Sequence, residues 1–70
     1  MKQDIVASFG RKIRDLRIEA GLSQEELAAR TKVHRTYIGM IERGEKNITI
    51  RNVEKLAQAL NISIDQLFRF

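Results

Sequence analysis

Residues 22–44, LSQEELAARTKVHRTYIGMIERG, decide the fold. Ser23 is followed three positions later by Glu26. The serine hydroxyl can accept from the Glu26 backbone N–H while the glutamate side chain reaches back to the Ser23 N–H, a reciprocal pair that opens a helix. Leu27 and Ala28 give that helix an apolar face, and it is expected to end near Arg30 or Thr31. Lys32 and apolar Val33 form a tight turn into a second helix, within RTYIGMIERG, whose inner positions are Ile38 and Ile41. Gly44 then stops it. Two short helices joined this tightly are expected to cross at a steep angle.

The same capping grammar divides the rest of the chain. Upstream, Ile5, Phe9, Ile13 and Leu16 recur at helical spacing with Val6 on their flank, while Arg11, Lys12, Arg14 and Asp15 fill the opposite side. Asp4 is the expected N-cap and Gly21 the left-handed end. Downstream, GEKNI reads as a loop, and Thr49 caps a helix whose inner face is Val53, Leu56, Ala57 and Leu60. Asn61 ends it. Ser63 and Gln66 repeat the capping box for a last short helix carrying Leu67 and Phe68. No stretch alternates with period two, so strands are not expected. The expected fold is all-α: one compact domain over residues 1–70, with five helices, the second and third joined by the tight turn.

Composition narrows the function. There are no cysteines and one histidine, which leaves no thiolate metal site, no disulfide framework and no nucleophile–base–orienter set. An enzyme, a bound cofactor and a metal are therefore not expected. No apolar run is long enough to span a membrane and the N-terminus lacks a signal-peptide core, so a cytoplasmic protein is expected. The net charge of +4 permits a polyanionic partner without requiring one.

The words GLSQEELA, the turn residue Val33, the Ile38/Ile41 pair, ERG, and LAQALNISIDQLF, in this order, resemble the lambda repressor/Cro type of helix-turn-helix domain. Within that family, HRTYIGMIERGEKNITI is similar to the recognition region of the controller proteins of bacterial restriction–modification systems, which are small dimeric regulators. One departure is visible: many such domains have glycine in the turn where this chain has Lys32. A residue with a side chain must accept a left-handed conformation there or use a different turn.

The resemblance implies a transcriptional regulator whose partner is a double-stranded DNA operator, with RNA polymerase a further candidate partner. It presents the start of the third helix to the major groove, so Arg35, Thr36 and Tyr37 are the expected base-reading residues. Arginine suits guanine O6 and N7. Thr36 offers a hydroxyl and a methyl, and Tyr37 either a phosphate contact or a ring against a base. Gln24 at the start of the second helix, His34 beside the third, and Arg43, Lys46 and Asn47 in the loop are expected at the DNA backbone. Lys46 has the alternative of reaching into a groove. Glu25 is expected to orient Arg35. The resemblance also assigns Arg17 and Glu42 to an ion pair tying the first helix to the third.

Ile48, Ile50, Ile62, Ile64, Phe68 and Phe70 supply more apolar surface than short helices readily bury. They read as a C-terminal homodimer interface, with simple core packing as the duller alternative. A two-fold dimer would set two recognition helices roughly 34–36 Å apart and read a palindromic site. The rival reading is an antitoxin-type or other protein-interaction module of the same fold with autoregulatory DNA binding. An antitoxin calls for a tail beyond the folded part, and no disordered tail is expected before the chain ends at Phe70.

Overall fold

The computed structural model describes residues 4–70. Among these residues there are four α-helices: α1 (Ile5–Glu19), α2 (Gln24–Thr31), α3 (Arg35–Glu42) and α4 (Ile50–Leu60). The expected fifth α-helix is instead a 3-10 helix over Ile64–Phe68. Its Gln66 N–H bonds Ser63 O at 3.2 Å, an i to i+3 link. Five residues, with β-branched Ile62 and Ile64 at the entry, cannot offset the cost of nucleating an α-helix, and a tighter turn suffices to bury Leu67. The Ser63 cap is half built: Gln66 Oε1 accepts from Ser63 N–H at 3.1 Å.

The other caps form as the sequence requires. Asp4 accepts from Val6 N at 3.0 Å, Ser23 from Glu26 N at 3.0 Å, and Thr49 from Asn52 N at 3.2 Å. Glu26 returns the bond to Ser23 N at 2.8 Å. Its carboxyl is thereby held below the ordinary glutamate range, first by the Ser23 backbone bond. His34 caps α3 with its ring: Nδ1 accepts from Thr36 N at 3.0 Å.

Lys32 accepts the left-handed conformation, with φ 59° and ψ 40°. Its N–H bonds Ala29 O, and the following Val33 N–H bonds Ala28 O, so the turn is closed despite the side chain. A Cβ in this region costs about 1–2 kcal/mol, partly offset by glycine's larger unfolded-state entropy. Lys32→Gly should therefore raise stability by about 0.5–1 kcal/mol, read as a higher urea midpoint at unchanged m. A lower midpoint would mean that Lys32 makes a compensating interaction.

The core is one cluster drawn from every helix: Phe9, Ile13, Leu22, Leu27, Ala28, Ile38, Ile41, Val53, Leu56, Ala57 and Leu67. α3 lies at its centre, packed on α1 and α2. The α1–α3 contact needs Gly10, because a Cβ there would run into the Ile41 carbonyl oxygen and sit 3.0 Å from that of Glu42. Both obstacles are backbone, so any side chain would push the two helices apart. Ile5, placed on the inner face of the first helix by its spacing, is instead 61% exposed, since the first turn of α1 overhangs the core.

Candidate nucleic-acid interface

The buried half of α3 fixes where its other half points. Ile38 and Ile41 are sealed in the core, so Arg35 and Thr36 stand exposed at the opposite edge. Gln24, Glu25, His34, Arg43, Lys46 and Asn47 are also exposed, and Tyr37 is half-buried. The expected base-reading and backbone residues thus come from the start of α2, the cap and body of α3, and the loop after it.

Several are held by neighbours. The Glu25 carboxylate lies 3.5 Å from Arg35 Nη1, with both side chains largely in solvent. Tyr37 packs its ring against the core and receives a hydrogen bond on its hydroxyl from Asn52 Nδ2 at 2.9 Å. Lys46 Nζ stands over the same ring, 5.8 Å from its centre, within cation–π range. Arg43 is clasped by Glu45 through two bonds, Nε to Oε2 at 3.0 Å and Nη2 to Oε1 at 3.2 Å. That carboxylate raises the Arg43 pKa further above its ordinary value.

Behind this face runs a buried polar tie. Arg17 Nε donates to Glu42 Oε2 at 2.6 Å and Nη2 to Oε1 at 3.1 Å, joining α1 to α3 as the resemblance implies. Arg17 Nη1 also takes the Leu22 carbonyl at 2.8 Å. Gln24 Nε2 donates to Glu42 Oε1 at 3.1 Å, so the start of α2 joins the same carboxylate. The Glu42 side chain is 4% exposed, and among the described residues no buried side-chain polar atom is left without a partner. Hydrogen bonding to Glu42 raises the Arg17 pKa, outweighing the opposing effect of burial. One carboxylate therefore sets the mutual position of three helices and of Gln24.

The helix-turn-helix family model matches residues 13–67. This chain belongs to the helix-turn-helix family. The control protein C.BamHI of Bacillus amyloliquefaciens is 41% identical over 71 residues, spanning 100% of this chain and 88% of that protein. The crystal structure of the restriction–modification controller protein C.AhdI from Aeromonas hydrophila superposes with a TM-score of 0.89 at 44% identity, covering 90% of this chain and 96% of that one. A tetramer of the controller protein C.Esp1396I, solved with its natural 35 base-pair operator, gives 0.86 at 33% identity over 96% of this chain and 88% of that one.

Within the helix-turn-helix frame, three residues stand out that sequence reasoning did not single out. Asn52 reaches across from α4 to Tyr37, and Glu45 clasps Arg43. Gly39, the third, lies under the Arg43 guanidinium: a Cβ there would come 3.0 Å from Nη1 and 3.6 Å from Gln24 Oε1. Arg43 and Gln24 share that notch. Only the spacing of Arg43 and Glu45 was legible beforehand, and it does not by itself select this pairing.

The apolar set divides. Ile50, Ile64, Phe68 and Phe70 are exposed at 84%, 44%, 41% and 58%, whereas Ile48 and Ile62 are half-buried against the core. Phe9, Phe68 and Phe70 stack in series, with centroids 5.0 and 6.3 Å apart. A shallow apolar cleft runs between Ile5, Ile50 and Phe68. No helix of the described residues is long and apolar enough to cross a membrane.

Proposed function

We propose that this chain is a sequence-specific DNA-binding transcriptional regulator that acts as a homodimer on a palindromic operator and controls restriction–modification genes, its own among them. The observation that carries the reading is that Arg35 and Thr36 stand exposed on the solvent edge of α3, with Gln24, Arg43, Lys46 and Asn47 also exposed on the segments that flank it in sequence. Likeness to a controller protein solved on its operator supports it.

Arg35 and Thr36 at the solvent edge of α3 are the base readers, with Tyr37 set behind them. Gln24 has committed one amide hydrogen to Glu42, and its second serves a phosphate oxygen. His34 has committed Nδ1 to the cap, so its backbone contact is made through Nε2. Arg43, Lys46 and Asn47 take the flanking backbone, and Glu25 steadies Arg35. The exposed Ile50, Ile64, Phe68 and Phe70, with Ile48 and Ile62 behind them, form the dimer surface, and Ile5 extends it. RNA polymerase is the partner through which occupancy would become activation.

Salt tests this reading. With Arg35 and Lys46 as cationic contacts in each protomer, four in the dimer, log affinity should fall against log salt with a slope of about −3.6. Fluorescence anisotropy on labelled duplex measures it. A module that binds only protein would show no such titration.

A further inference from the structure

We propose that Glu45 is an affinity-setting residue that acts through Arg43: it occupies the edge of the guanidinium that would otherwise grip DNA phosphates, and so weakens the sequence-independent part of binding. The inference rests on the reading that the loop after α3 lies against DNA.

The geometry starts at Gly44, whose φ of +73° reverses the chain after α3. Gly44 N–H bonds Ile41 O at 3.0 Å and Glu45 N–H bonds Met40 O at 2.9 Å. The tight reversal brings the side chains of Arg43 and Glu45 together. A guanidinium grips a phosphate best with two parallel N–H groups. The Nε/Nη2 edge of Arg43 makes that paired grip here, but on the Glu45 carboxylate. The remaining nitrogen, Nη1, is turned over Gly39 beside Gln24. A phosphate cannot take the side-on pair of donors without displacing Glu45.

The brake is weak enough to be released. Both side chains are more than half exposed, at 57% and 53%, and ion pairs of that kind shift an equilibrium by less than about fivefold. Lys46, by contrast, has no carboxylate partner among the described residues. The face therefore carries one unopposed cation and two arginines that each have an acid alongside, Arg35 with Glu25 and Arg43 with Glu45. Such a face holds bulk DNA loosely, although the chain has a net charge of +4. Sequence recognition by Arg35 is then a larger share of the total.

The experiment is anisotropy on operator and on random duplex, at several salt concentrations, for the full chain and its variants. Glu45→Gln should tighten both DNAs alike, by about threefold to tenfold at low salt for the two pairs of a dimer together, and steepen the salt slope by about 0.9 per protomer. Adding Arg43→Gln should abolish that gain. A gain that persists without Arg43 would show that Glu45 acts only as a nearby negative charge, and would overturn the inference alone. Glu45→Lys separates the two levels: if this two-charge change alters neither affinity nor slope, the loop is not on DNA and the interface reading itself fails. Circular dichroism of each variant confirms the fold.

Discussion

Glu42→Ala should cost the domain about 3–5 kcal/mol, the range expected when one partner of a buried, hydrogen-bonded ion pair is removed. The carboxylate accepts three N–H bonds, two from Arg17 and one from Gln24. Arg17 would keep the Leu22 carbonyl through Nη1 but lose its two other bonds, both to Glu42, in a site where its side chain is 12% exposed. A domain of this size holds about 4–10 kcal/mol in all, so most of its stability is at stake. Urea unfolding followed by circular dichroism measures the loss, and a change below about 1 kcal/mol would contradict this account of the tie. The pair is not a net source of stability, however. Replacing both partners by apolar residues, Arg17→Met with Glu42→Leu, should recover much of the loss. What the ions supply is orientation: they hold α1, α3 and Gln24 in one arrangement.

The second large effect falls on recognition. Arg35→Ala should remove about 1–3 kcal/mol of base discrimination per half-site, and about twice that for a symmetric dimer. Non-specific affinity should change far less, because phosphate contacts remain at Lys46 and the rest of the backbone set. The fold should be indifferent, since Arg35 is exposed and its contact with Glu25 is 3.5 Å long in solvent. Loss of specificity without loss of stability is thus the signature of Arg35, and the reverse order marks Glu42.

The two residues also show what a sequence can disclose. Helix starts were legible because a cap is a local bargain: Ser23 and Glu26 are three positions apart, and their bonds depend on little else. The exposed face of α3 was legible for the same reason, once Ile38 and Ile41 had fixed the buried side. Close approach between distant segments was not. Gly10 looks like any helical glycine until the Ile41 and Glu42 carbonyls arrive against it. Asn52 and Tyr37 are fifteen positions apart, and their bond exists only because α4 packs back on α2, which brings Asn52 within reach of α3. The final 3-10 helix failed as an α-helix because a capping box specifies a start but not a length. Ile5 failed because periodicity reports which side of a helix is apolar, not whether that turn has anything to pack on.

The turn shows the converse. Lys32 broke the usual glycine preference, yet the left-handed turn formed, since the bonds of Lys32 and Val33 back to α2 and the packing of α3 outweigh a local cost of about 1–2 kcal/mol. Tertiary context decided, as it did at Gly10.

Sequence-specific reading of duplex DNA by α3 is tested most directly by selecting bound sequences from random duplex, with the wild type and Arg35→Ala run in parallel. The wild type should enrich a two-fold symmetric site with half-site centres about one helical turn apart, 10–10.5 base pairs. Arg35→Ala should bind the same pool without enriching a guanine at the position Arg35 reads. Failure of the wild type to enrich any sequence, or an identical motif from Arg35→Ala, would contradict it.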